Sequence, residues 1–216
     1  MLRKILICAL MSMTLLIAAC GEEKVVGTPD KAILAYCETI TTGESPDLES
    51  AGFSADDNKN LRKVAINVFA ETFGGIVPLN EESTDELAKI FYANSKAKMT
   101  FQTKIKTEYR DQPVVELTTT PLDIAKPSGA LNDEFIALIG MVGKLKSDGA
   151  TDEQLKENPE VQKLAVTAFG KYLAEIPVQA EKTFEVTCKK VKGADGKVHW
   201  APSDGNALMN FITGKS

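Results

Sequence analysis

Histidine, tryptophan and arginine are nearly missing from this chain. Its 216 residues include one His and one Trp, and the arginines are Arg3, Arg62 and Arg110. A lone His199 has no second imidazole with which to build a zinc set, and neither HExxH nor a CxxC pair occurs. GxSxG is also absent, so serine-nucleophile chemistry would rest on His199 with nothing nearby to support it. The C-terminal Gly214-Lys215-Ser216 mimics the end of a phosphate loop. However, Met209 stands where that loop needs its first Gly, and no helix can follow. Scarce arginine and an excess of 30 acidic over 25 basic residues work against nucleic acid, which needs a basic face and Arg forks. No internal repeat or low-complexity stretch is present. With 44% hydrophobic and 25% charged residues, the composition is that of an ordinary globular chain.

A long apolar run is missing as well, and the one that exists is informative. Residues 5–17 are apolar or small and uncharged, shorter than the ~20 needed to cross a bilayer as a helix. Arg3 and Lys4 precede them, and the small pair Ala18-Ala19 follows, which is the order of a secretory signal. Cys20 comes next. Ile17-Ala18-Ala19-Cys20 resembles the lipobox of bacterial lipoproteins. The resemblance implies cleavage between Ala19 and Cys20 and fatty acylation (diacylglycerol, palmitate) of the Cys20 thiol. Gly21, where a retention signal would have Asp, resembles the default of sorting to the outer membrane in two-membrane cells. In a single-membrane cell the protein would stay on the outer leaflet. The expected organisation is a signal peptide over 1–19, a lipidated tether over 20–27, and one domain over 28–216. Loss of the leader leaves 23 basic against 30 acidic residues, a net charge of −7, so the lipid is expected to be the membrane contact.

Four cysteines reduce to two in the mature domain, Cys37 and Cys188, because Cys8 leaves with the signal and Cys20 carries lipid. Export to an oxidising compartment would allow a Cys37–Cys188 disulfide. Two buried thiols acting as small hydrophobes fit the apolar pattern equally well.

The mature chain alternates helical and strand periodicity. Thr28-Pro29 opens a helix carrying Ile33, Tyr36, Cys37 and Ile40, and Gly43 closes it. Ser54 and Asp57 form a capping box before a helix through Leu61 that stops at Gly74-Gly75, and Ser83 with Glu86 resembles a second box. Met99 to Tyr109 then alternates with period two, and a partner strand follows over 113–120. A helical hairpin over 129–176 comes next. Phe135, Leu138, Ile139, Val142 and Leu145 line the face of its first helix; Val161, Ala165, Phe169 and Leu173 line that of the second. Phe184, Val186 and Cys188 alternate in a further strand, which turns at residues 193–196 into residues 197–201. A short helix closes the chain.

This order predicts an α+β fold: N-terminal helices on a curved antiparallel sheet, with the 129–176 hairpin inserted between the strand pairs. The leading TPDKAILAYCETI and the paired hairpins over residues 28–200 resemble NTF2-like, cystatin-like lipoproteins, more narrowly the DUF5105 or DUF4878 type. The resemblance implies a helix packed in the hollow of the sheet.

Few residues suggest chemistry. His199 is expected to be a solvated or capped edge residue rather than a base, and Trp200 an edge or core contact. Acidic clusters at Asp56-Asp57, at Glu81-Glu82 with Asp85-Glu86, and at Asp152-Glu153 are expected at or before helix starts, where they complement the macrodipole, rather than forming a metal site. Tyr36, Tyr109 and Tyr172 lie within apolar stripes and are expected to pack. The expected role is therefore a lipid-anchored envelope lipoprotein with a non-enzymatic binding or interaction domain. It would have no cofactor, no metal and no nucleic acid partner; its partners would be the membrane and an unknown protein or small-molecule ligand. The alternative is a pocket enzyme or small-molecule-binding protein of the NTF2-like superfold, which would need a deep pocket holding an isolated carboxylate. A structural envelope protein would instead show an exposed apolar patch on the 129–176 hairpin.

Overall fold

A computed structural model describes residues 24–124 and 133–214; the side chains at 65 and 68–73 are outside that description. The signal segment, Ala19 and Cys20 lie outside the described residues. Seven helices and five strands are present among the described residues, in the order β1 (Val25–Val26), α1 (Pro29–Thr42), α2 (Ala55–Gly74), α3 (Glu81–Lys98), β2 (Phe101–Thr107), β3 (Val114–Thr119), α4 (Asp133–Ser147), α5 (Asp152–Glu157), α6 (Pro159–Glu175), β4 (Lys182–Lys192), β5 (Val198–Pro202) and α7 (Gly205–Ile212).

The strands form one curled half-barrel sheet in the order β1-β5-β4-β3-β2. β2/β3, β3/β4 and β4/β5 pair antiparallel, so the helical hairpin between β3 and β4 leaves and returns to neighbouring strands. The sheet is not wholly antiparallel as expected. Val25 and Val26 pair parallel with Val198 and His199, making the sheet mixed. Two β-branched residues are too few for a period to show in the sequence, and their partners lie more than 170 positions away.

α1 follows from local chemistry. Pro29 sits in its first turn, and Gly43 ends it at φ 79°, its N–H donating to the Thr39 carbonyl. Ala32, Ile33, Ala35, Cys37 and Ile40 are buried, and the helix lies between β2, β3 and β5 on one side and α2 and α3 on the other. It fills the sheet's hollow with side chains. α3 begins earlier than the Ser83/Glu86 pattern suggested: Asn80 is the cap, its side chain accepting from the Ser83 N–H at 2.8 Å. α6 packs on α3, and α4 packs on α6. Gln162 joins α6 to the start of α3, donating to the Pro78 and Leu155 carbonyls and accepting from the Asn80 N–H, so this buried amide is paired at both ends. Thr151 and Gln154 form a capping box for α5, and Asn158 caps α6.

Cys37 and Cys188 are both buried and both free thiols. Burial pushes both thiols up, with Glu38 adding to Cys37 and Asp30 adding to Cys188, which reaches about 12. Two consequences are expected. The native mature chain should leave Ellman's reagent nearly untouched, and the chain unfolded in guanidinium without reductant should release about two thiols' worth of colour. Silence in both states would mean an oxidised pair.

Candidate functional site

Two places in the fold gather polar groups. The first is a half-open groove of about 560 Å³, lined by Glu38, Thr42, Glu44, Ser45, Pro46, Lys96, Met99 and Phe101. It lies where α1 and α3 both end, beside the start of β2. Met99 and Phe101 form an apolar floor, one buried and one half-buried. Its carboxylates are not isolated: the Ser45 hydroxyl donates to Glu38 at 2.6 Å, and Lys96 pairs with Glu44 at 2.5 Å. The Lys96 hydrogen bond and charge hold the Glu44 carboxyl below its ordinary range.

The second place was not legible in the sequence. His199 is buried, at 4% exposed, and is not the solvated edge residue expected. β1 covers the outer side of β5, so what would be an edge strand is interior. The His199 ring packs 4.3 Å from that of Phe53, and its Nδ1 is buried without a hydrogen-bond partner. Asp57, at the start of α2, reaches the same region. One of its oxygens accepts from the Ser54 N–H and hydroxyl at 2.8 and 2.7 Å, and the other accepts from the Ala194 N–H at 3.1 Å. The capping carboxylate thus also pins the β4–β5 turn. Gly193 is required there: a Cβ would stand 2.7 Å from Asp57 Oδ2 and 3.2 Å from His199 Cε1.

The electrostatics follow from this packing. Burial lowers the His199 pKa, while the Asp57 and Asp195 charges pull the other way. Burial alone would raise Asp57, but hydrogen bonds from the Ser54 side chain and backbone and from Ala194 outweigh it and leave the carboxyl low. Both folded-state values are depressed, so both contributions to stability are present above the unfolded values and are lost as pH falls through the folded ones. Stability should therefore decline below about pH 6.5, the ordinary His value, with a slope of at most ~1.4 kcal/mol per pH unit for that one proton. His199→Gln should flatten the decline between pH 6.5 and 4, as read by urea midpoints. An unchanged slope would assign the acid lability elsewhere.

Tyr36, Tyr109 and Tyr172 lie in separate surroundings. The Tyr172 hydroxyl donates to the Ile124 carbonyl at 2.9 Å, and Tyr36 is half-buried with burial raising its pKa. Tyr109 does not pack. It is 70% exposed, beyond the end of β2, where the alternating pattern outruns the strand. Trp200 is buried, with the Lys190 ammonium 5.7 Å from its ring centroid. Asp56, Asp57, Glu81, Glu82, Asp152 and Glu153 lie in the first turns of their helices, where they complement the macrodipole; Asp85 and Glu86 do not, because α3 already starts at Glu81. Among the described residues, no three His, Cys, Asp or Glu side chains converge to hold a metal ion, and no helix is long and apolar enough to cross a membrane.

One expected core residue faces outward. Ile139 is 48% exposed and Ile136 58%, while Leu138 and Val142 carry the burial of α4. The helical hairpin thus presents apolar surface, the feature set out above for a structural envelope protein.

No protein-family model and no curated protein matches the sequence. Among solved structures, the chain is similar to the putative lipoprotein YcdA of Bacillus subtilis subsp. subtilis strain 168, with a TM-score of 0.56 and 17% identity over 86% of this chain. The chain spans about half of that protein, 55% of its length. At that identity the likeness is one of fold alone.

Proposed function

We propose that this chain is an exported lipoprotein, held at a membrane by acyl groups on Cys20, whose folded domain works by binding at its surface rather than by catalysis. The lipobox at residues 17–20 supports the anchor, and the description of the fold neighbour as a lipoprotein agrees with it. The domain would ride close to the bilayer. Val25 is already hydrogen-bonded into the sheet, so the five residues from Cys20 to Val25 can span at most ~17 Å.

The observation that carries the binding half is the filled hollow. In the NTF2-like plan, catalysis and ligand capture would use the concave face of the sheet, and here α1 occupies it with residues that are almost wholly buried. What remains available is surface: the groove beside Met99 and Phe101, and the outer face of α4. Chemical cross-linking of the full chain in intact cells, followed by intact-mass analysis, tests both halves. The expected result is a chain beginning at acylated Cys20 and discrete higher-mass adducts. An unacylated chain would end the anchor reading, and a chain without adducts would end the interaction reading.

A further inference from the structure

α4 packs on α6 through Phe135, Leu138, Val142 and Leu145, and its other side has no such partner among the described elements. On that side Ile136, Ile139, Gly140 and Gly143 follow one another at spacings of three, one and three, forming a single stripe. Both isoleucines are exposed, and a Cβ added at Gly140 or Gly143 would meet nothing within 4 Å. The stripe thus alternates two protruding side chains with two bare stretches of backbone. Acid lies at one end of the helix, in Asp133 and Glu134, and base at the other, in Lys144 and Lys146; Glu134 already pairs with Lys171 and Lys146 with Asp152 in the same chain, so a second copy would share Lys146 with Asp152.

This pattern is complementary to its own reverse. A two-fold axis between Ile139 and Gly140 would set Ile139 against Gly140, Ile136 against Gly143 and Asp133 against Lys146 of the second copy, because the members of each pair are equally far from that midpoint. Each isoleucine then meets a glycine, which lets the two helices approach closely, and each acidic end meets a basic one. A parallel arrangement would instead set isoleucine on isoleucine and acid on acid. Self-complementarity under a two-fold axis is what an isologous interface requires.

We propose that the outer face of α4 is a self-association surface, on which a second copy of this chain packs antiparallel through its own α4. The proposal deepens the interaction reading above by naming the partner, and it does not depend on the anchor. One helix pair buries less than the ~800 Å² per partner of a standard stable interface. The pairing is therefore weak, and a covalent trap is the means to read it.

The test uses full-length chains in cells. One tagged chain carries Ile136→Cys and a second, differently tagged chain carries Gly143→Cys; mild oxidation is followed by non-reducing electrophoresis, with the unsubstituted chain as background. The expected result is a mixed dimer when both are expressed and none from either alone, since position 136 lies seven residues from its own counterpart across the axis, about 10 Å. Adding Gly140→Leu to both chains should abolish the mixed dimer. It should not lower the melting temperature of the purified chain, because the added side chain points into open space and replaces a poor helix former. Bands from either single variant alone, a band that survives Gly140→Leu, an adduct holding another protein in place of the second copy, or no mixed dimer at all would each overturn the pairing. Fractionating the same cells reports the anchor separately. A soluble chain that still forms the mixed dimer supports the pairing while ending the anchor reading, and a membrane-bound chain that forms none overturns the pairing while leaving the anchor intact.

Discussion

Cys20→Ser should remove the acyl mass from the chain and move nearly all of the mature domain out of the carbonate-washed membrane fraction. The size of the effect follows from the proposal, in which the lipid is the membrane contact. A mature net charge of −7 is repelled by anionic lipid rather than drawn to it, so no electrostatic attachment replaces the lost lipid. No described helix is long and apolar enough to cross a bilayer. Acyl chains contribute about 0.8 kcal/mol per buried CH₂, and two or more on one residue hold firmly where one alone is marginal. Serine takes no thioether-linked lipid, so the whole contribution disappears in a single substitution. Because an unprocessed leader could itself adhere through residues 5–17, the comparison should include a chain exported on an ordinary cleavable leader and starting at Gly21. That chain should be soluble. Membrane retention of the Gly21 chain would show that the folded domain binds the bilayer by itself and would remove Cys20 from the explanation.

What the sequence made legible was local. Thr28-Pro29 and Gly43 bracket α1 because proline and glycine act on the backbone at their own positions, and the alternation through Phe101, Thr103 and Ile105 marks β2 because one face is half-buried along its whole length. Where two local signals compete, the earlier one sets the helix start. Ser83 with Glu86 has capping-box spacing, but so does Asn80 with Ser83, and the two glutamates between them favour the earlier start. What the sequence could not show was distant. The burial of His199 depends on Val25–Val26 laying a strand against β5 from the far end of the chain. Gly52, at φ 95°, gives a second reason: a Cβ there would stand 2.9 Å from both His199 Cβ and Val26 Cβ, so the loop, β1 and β5 close on one another only because that position is bare. Asp57 reads as a capping residue and is one, yet the same carboxylate also holds the β4–β5 turn, a second use with no mark in the sequence. Ile139 shows the limit of periodicity. Leu138 and Ile139 are adjacent and both fit an apolar arc, but α6 covers only the Leu138 side.

Ile33→Ala should be among the most damaging single truncations in the domain, and it also tests the filled hollow directly. Ile33 is fully buried near the start of α1, the helix that the sheet encloses from one side and α2 and α3 from the other. Removing three carbons there forfeits their transfer free energy, and the cavity left behind costs more, because a helix held on both sides cannot shift to close it. A loss of about 3 kcal/mol is expected, within the ~2–5 range for such truncations and a large share of the ~5–15 kcal/mol that stabilises a typical domain. For a chain of this length the melting temperature should fall by roughly 6–12 °C. Tyr36→Phe, one turn on and half-buried, should cost far less, since it removes a hydroxyl and leaves the ring in place. The contrast separates the two views of the concave face. If α1 is the plug of a closed core, Ile33→Ala destabilises strongly and the Cys37 and Cys188 thiols become faster to label, because the wall around them loosens. If the hollow were a ligand chamber with α1 as a yielding lid, the truncation would cost less than about 1 kcal/mol and thiol labelling would not change. That outcome would return catalysis or small-molecule capture to the centre of the molecule.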